Sequence, residues 1–151
     1  VGTGFMVGSP WQTMANLLED LAFIRELQPQ MIGIGPFIPH HATPFKNYPA
    51  GTLEQTLTLL SVLRLMFPKV LLPATTALGT IVPNGRELGI LAGANVVMPN
   101  LSPADVRQNY LLYDNKLCSG AEAAEAKNDL AARLHSIGYE IAEDRGDYKE
   151  S

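Results

Sequence analysis

Four short apolar runs alternate with helix-like stretches, and this alternation constrains the fold more than any other feature of the chain. The runs are Phe5–Gly8, Met31–Phe37, Val70–Ala74 and Asn95–Met98. None shows the strict apolar–polar alternation of a strand with one wet face, so all four read as strands covered on both sides. Between them lie segments with apolar residues at helical spacing. Leu17, Leu18, Leu21 and Ile24 mark a first helix ending near Gln28. Its start is expected at Ser9, with Pro10 in the first helical position and Gln12 completing a capping box. Thr52 with Gln55 is a second capping box, opening a helix to about Phe67 with Leu53, Leu57, Leu60 and Leu63 on its apolar face. Asn84–Ala92 reads as a short helix. Ser102, Pro103 and Asp105 signal another start, and Ala121–Ile137 reads as a last helix closed by Gly138.

Strands separated by helices imply a parallel sheet with crossover connections. Four βα units fit either an open doubly wound sheet or half of a (β/α)8 barrel, which needs about 250 residues; this chain has 151. No Gly-x-Gly-x-x-Gly joins a strand to a helix, which weighs against a dinucleotide-binding sheet. The chain opens on Val1 directly before a strand, which predicts a processed chain or a piece of a longer one. Residues 1–143 are expected to form one unit and 144–151 a polar tail. Eleven basic against fifteen acidic residues, with no basic block, argue against nucleic acid. No apolar run is long enough for a membrane helix. The single cysteine, Cys118, precludes an intrachain disulfide or a cluster held by several thiolates, and points to a reducing, cytoplasmic setting.

In α/β folds ligands collect at the C-terminal ends of the strands. Here those ends read Gly8-Ser-Pro, Gly35-Pro-Phe-Ile-Pro and Pro73-Ala-Thr-Thr. Thr75 and Thr76 could bind a carboxylate or phosphate oxygen, or merely tie down a turn. Met6 could face a ligand or pack in the core. Tyr110 and Tyr113 would share a helix face, covering a pocket or packing at its rim. His40 and His41, adjacent between prolines, are expected to shape a loop rather than chelate, because neighbouring side chains diverge. Cys118 lacks an activating base.

Several segments carry a sharper resemblance. Gly4-Phe-Met-Val-Gly-Ser-Pro-Trp-Gln-Thr13 resembles the fifth-strand motif of radical-SAM barrels. Met31-Ile-Gly-Ile-Gly-Pro-Phe-Ile-Pro-His40 followed by Thr43-Pro44 resembles the sixth, Leu72-Pro-Ala-Thr-Thr-Ala-Leu-Gly-Thr80 the seventh, and Gly93-Ala-Asn-Val-Val-Met-Pro-Asn100 the eighth. Tyr110-Leu-Leu-Tyr113 and Lys116-Leu-Cys118 continue it. In this order the motifs resemble the HydE-like radical-SAM family, the [FeFe]-hydrogenase maturases of the biotin-synthase-like group.

The resemblance implies a parallel (β/α)4 half of a TIM-type barrel with an extra C-terminal helix. It implies a full-length enzyme that uses S-adenosylmethionine (SAM) and a [4Fe-4S] cluster to act on a small thiol- or iron-containing substrate. The Cys-x3-Cys-x2-Cys loop that holds the cluster is not in this chain, so the chain alone is expected to be inactive and to hold neither cofactor stably. The family pattern places Ile34, Gly35, Pro36, Phe37 and Tyr110 at SAM, and Met6, Thr75, Thr76 and Tyr113 at the substrate. An accessory cluster is not expected, because Ala126 and Asp129 stand where its second and third cysteines would be. Trp11 replaces the family's glycine after the turn proline. Partners are expected to be a second copy meeting the half-barrel edges, or a missing N-terminal half.

Overall fold

The computed structural model describes residues 1–98, 113–115 and 123–149. It is a mixed α/β fold. Strand β1 (Gly2–Val7) leads through helix α1 (Met14–Leu27) to strand β2 (Met31–Pro36), which lies parallel to it with Gly2 opposite Met31 and Met6 opposite Gly35. Then follow α2 (Leu53–Met66), α3 (Thr76–Ile81), α4 (Gly85–Leu91) and α5 (Ala123–Ser136).

The third and fourth expected strands are present only as isolated parallel bridges, Met31 to Leu71 and Pro73 to Val96. The local chemistry explains the break. Pro73 has no N–H to give a ladder, and the Leu72 N–H is taken by the Asn95 side chain at 2.8 Å. The remaining bonds keep these segments beside β2: Ile32 N–H to Leu71 O, Ala74 N–H to Val96 O, and both Asn95 and Val96 N–H to Leu72 O.

One face of this sheet is packed. Val7, Ile32, Ile34 and Leu72 are all but fully buried, together with Leu17 and Ile24 of α1 and Leu60 and Leu63 of α2. Each such side chain contributes about 1.5–3 kcal/mol of transfer free energy. Alternation along β1 and β2 throws Gly2, Gly4, Met6, Gly33 and Gly35 to the opposite face.

Helix α1 starts later than the sequence suggests. Thr13, not Ser9, is its N-cap, in a capping box with Asn16. Gln12 is spent elsewhere: its amide donates to Met6 O at 2.9 Å and its carbonyl accepts the Gly8 N–H at 2.7 Å. That clamp folds residues 8–12 into a tight turn, with Gly8 and Trp11 both in the left-handed region (φ 76° and 63°). A glycine adopts this conformation without strain and a tryptophan does not, so the Trp11 backbone costs about 1 kcal/mol.

Helix α2 spans the expected residues, and of the expected capping box the structure shows the Thr52 hydroxyl accepting the Gln55 N–H. Helix α3 has no counterpart in the sequence reading. Gly138 (φ 82°) closes the turn after helix α5, where Tyr139 N–H returns to Leu134 O. Its Arg133 holds Glu87 of α4 through two nitrogens, one of them at 3.0 Å from Oε2, and also reaches Pro83 O. Glu87 is only 7% exposed. Burial alone raises its pKa, but the Arg133 hydrogen bond and the charges of Arg133 and Arg86 outweigh this and hold the carboxyl below its ordinary range. The expected helix start at Ser102-Pro103 lies outside the described residues. Among the described residues no helix is long and apolar enough to cross a membrane.

Candidate functional site

The C-terminal ends of β1, β2 and the 70–74 segment converge on one rim. Parallel pairing puts Met6 beside Gly35. Met6 is 58% exposed on the open face, so its thioether is not core. On the other side of Gly35 stands Thr75. A Cβ placed on Gly35 would lie 2.6 Å from Thr75 Oγ1, so the missing side chain is what lets the hydroxyl sit over β2. Thr75 is the N-cap of α3, yet its hydroxyl makes no capping bond. Its Oγ1 is buried and has no hydrogen-bond partner among the described residues. An orphan hydroxyl of this kind costs about 1–3 kcal/mol and calls for an explanation. Thr76 opens α3 beside it, half-buried, and its carbonyl accepts the Thr80 hydroxyl at 3.2 Å.

Of the residues singled out at and just after the end of β2, Ile34, Pro36 and Phe37 are buried and Gly35 is partly accessible. Phe37 closes the base of a loop. Its N–H donates to Val7 O and its carbonyl accepts the Gly51 N–H, each at 2.8 Å. The intervening residues 38–50 form a compact rim loop with bonded ends, the geometry of an Ω-loop. Phe45 and Tyr48 pack edge-on against Trp11, at ring separations of 5.9 and 5.3 Å, and Phe45 meets Phe37 at 6.4 Å. So Trp11 packs the loop and belongs to no helix cap.

The loop's other flank meets residues 113–115. Asp114 N–H donates to Pro39 O at 3.2 Å, while its carboxylate accepts the His41 backbone N–H at 2.8 Å and lies 2.7 Å from His41 Nδ1. The His41 contacts hold the Asp114 carboxyl below its ordinary pKa. His40 and His41 do not diverge as expected: their rings stack at 4.4 Å and 24°. Tyr113, half-buried, precedes this clamp on the same rim. Sequence reading had no signal for the His41–Asp114 pair, which joins positions 73 residues apart. Tyr110, Cys118 and the side chain of Ala126 lie outside the described residues, and Asp129 is an exposed residue of α5. A surface groove lined by Lys69, Leu71, Asn95, Ile141, Arg145 and Lys149, among others, includes none of the predicted site residues.

The chain is 50% identical over 117 residues to the [FeFe] hydrogenase maturase subunit HydE of Thermotoga maritima, an overlap covering 78% of this chain and 34% of that protein. This is a HydE-like radical-SAM sequence. Two 3-methylornithine synthases are also similar. That of Methanosarcina barkeri is 37% identical over 89 residues, 59% of the HydE-like chain and 25% of its own length. That of Methanosarcina acetivorans is 28% identical over 127 residues, 84% and 35% respectively. The HydE-like chain thus spans between a quarter and about a third of the curated relatives it matches. No protein-family model matches it.

Proposed function

We propose that this chain is the C-terminal half of a radical-SAM barrel, a (β/α)4 unit over residues 1–143 followed by a polar tail at 144–151. Joined to an N-terminal half, it would form an enzyme that cleaves SAM and acts on a small thiol- or iron-containing substrate in cofactor or metallocluster biosynthesis, in a reducing cytoplasm. The observation that carries this reading is the unpartnered Thr75 hydroxyl over Gly35, beside exposed Met6, on the open face of the sheet. A polar ligand atom there would satisfy the hydroxyl, and the thioether supplies a soft, polarisable contact for a thiol or a metal complex.

In this reading Met6, Thr75, Thr76 and Tyr113 meet the substrate, and the end of β2 with Tyr110 meets SAM. The β2 contribution narrows. Phe37 already donates to Val7 and accepts from Gly51, which leaves Ile34, Gly35 and Pro36 to offer backbone to an adenine. The [4Fe-4S] cluster does not fit this chain: one cysteine cannot supply its thiolates, and its ligands belong to the other half.

The test is reconstitution. The chain is combined with an N-terminal half from a HydE relative, and 5′-deoxyadenosine is measured under reducing conditions. Turnover by the pair and none by the chain alone is expected. An inactive but correctly assembled pair, or turnover unchanged by Thr75→Val, would sink the assignment. A second reading is favoured by the exposure of Met6: two copies could cover each other's open faces as a binding module without catalysis. Light scattering with S-adenosylhomocysteine calorimetry separates the two readings, since only the module gives a dimer that binds ligand unaided.

A further inference from the structure

We propose that His40, His41 and Asp114 form a site for a borderline divalent cation of the Zn2+ type, tying the rim loop to residues 113–115. One donor atom from each of the three lies within 4.8 Å of the others. Two features bring them together. The loop turns back on itself directly after His40, with Thr43 N–H and the Thr43 hydroxyl both on His40 O, which stacks the two rings instead of splaying them. Asp114 is then fixed from three directions, by Pro39 O on its N–H and by the backbone and ring of His41 on its carboxylate.

The donor set decides the class of ion. Two imidazoles and one carboxylate suit Zn2+, Co2+, Ni2+ or Cu2+, whereas Mg2+ and Ca2+ prefer all-oxygen sites. With the His41 side chain 77% exposed and that of Asp114 39% exposed, water completes the coordination. The present contacts are those an ion would replace. It would take the place of the proton held between His41 Nδ1 and Asp114 Oδ1, spreading that 2.7 Å contact to the span of two metal ligands. His40 Nδ1 accepts the Ala42 N–H at 3.0 Å, so ligation through that nitrogen exchanges a hydrogen bond for a metal bond. Binding at the His41–Asp114 pair therefore displaces a proton.

The experiment uses the full chain carrying Cys118→Ser, which removes the one thiol that could compete. Co2+ is titrated at neutral pH and followed by its visible absorption, and Zn2+ by calorimetry and thermal melting. One equivalent is expected to bind saturably and to raise the melting midpoint. Affinity should fall at least about tenfold in His41→Ala and in Asp114→Asn, and remain unchanged in His135→Ala, which controls for an exposed histidine elsewhere. His40→Ala supplies an independent loss should either variant melt early without metal. Absence of saturable binding, or binding that survives His40→Ala, His41→Ala and Asp114→Asn alike, overturns the site.

Discussion

The two faces of the sheet are built from opposite materials. Toward the helices stand Val7, Ile32, Ile34 and Leu72, none more than 1% exposed, locked among leucines and isoleucines of α1 and α2. Toward the open side stand glycines, one exposed methionine and a threonine whose hydroxyl has no partner. The first face maximises buried apolar area, and Val7, Ile32, Ile34 and Leu72 bring no polar side-chain atom into it. The second gives up both, and a surface that forgoes its own stability in this way is one shaped for something it touches. The difference teaches where substitution should cost folding and where it should cost function.

The largest effect should come from the packed face. Ile34→Ala removes a side chain 1% exposed and is expected to cost about 2–5 kcal/mol in urea unfolding; a loss below about 1 kcal/mol would mean that the face is looser than described. Next is the ion pair that joins α4 to α5. Arg133→Met strands Glu87 without its partner, for an expected loss of about 2 kcal/mol. Because Glu87 has a lowered folded pKa, its contribution is complete above its unfolded value and fades as the pH falls through the folded one. An acid melt should therefore show the parent losing its advantage over Arg133→Met below about pH 4.3. A constant difference down to pH 2 would rule out the pairing as its source.

Gly35→Ala probes the boundary between the faces. Its new methyl meets Thr75 Oγ1, and repacking should cost about 1–3 kcal/mol, with Thr75→Ala in the same chain relieving most of it. A simple sum of the two single effects would disprove the contact. The smallest effect on stability belongs to Thr75→Val. It replaces an unpartnered buried hydroxyl by a methyl and should leave the melting midpoint unchanged or raise it by about 1 kcal/mol equivalent, whereas the reconstituted assembly should lose ligand binding. Clear destabilisation would mean that the hydroxyl holds the fold rather than awaiting a ligand.

How much was legible follows the same division. Helices α2, α4 and α5 could be read because their leucines, caps and closing glycine act within a few residues of one another. The start of α1 was misread because Gln12 satisfies both a capping pattern and a turn clamp, and only the placement of Met6 O decides between them. Helix α3 went unseen because its six residues, Thr-Ala-Leu-Gly-Thr-Ile, carry two threonines, an isoleucine and a glycine, none a strong helix former. At the rim, Met6 and Thr75 could be named as candidates, but no local pattern told open-face from core; register with Gly35 supplies that. The His41–Asp114 clamp depends on a meeting across 73 positions, which no local pattern encodes.

The bonded base of the 38–50 loop has one more consequence. Because Phe37 and Gly51 close it against Val7, the strands do not depend on what lies between them. The loop is in effect a cassette. An engineered chain could lengthen, shorten or rewrite it, between its two closing residues, while the sheet beneath keeps its register.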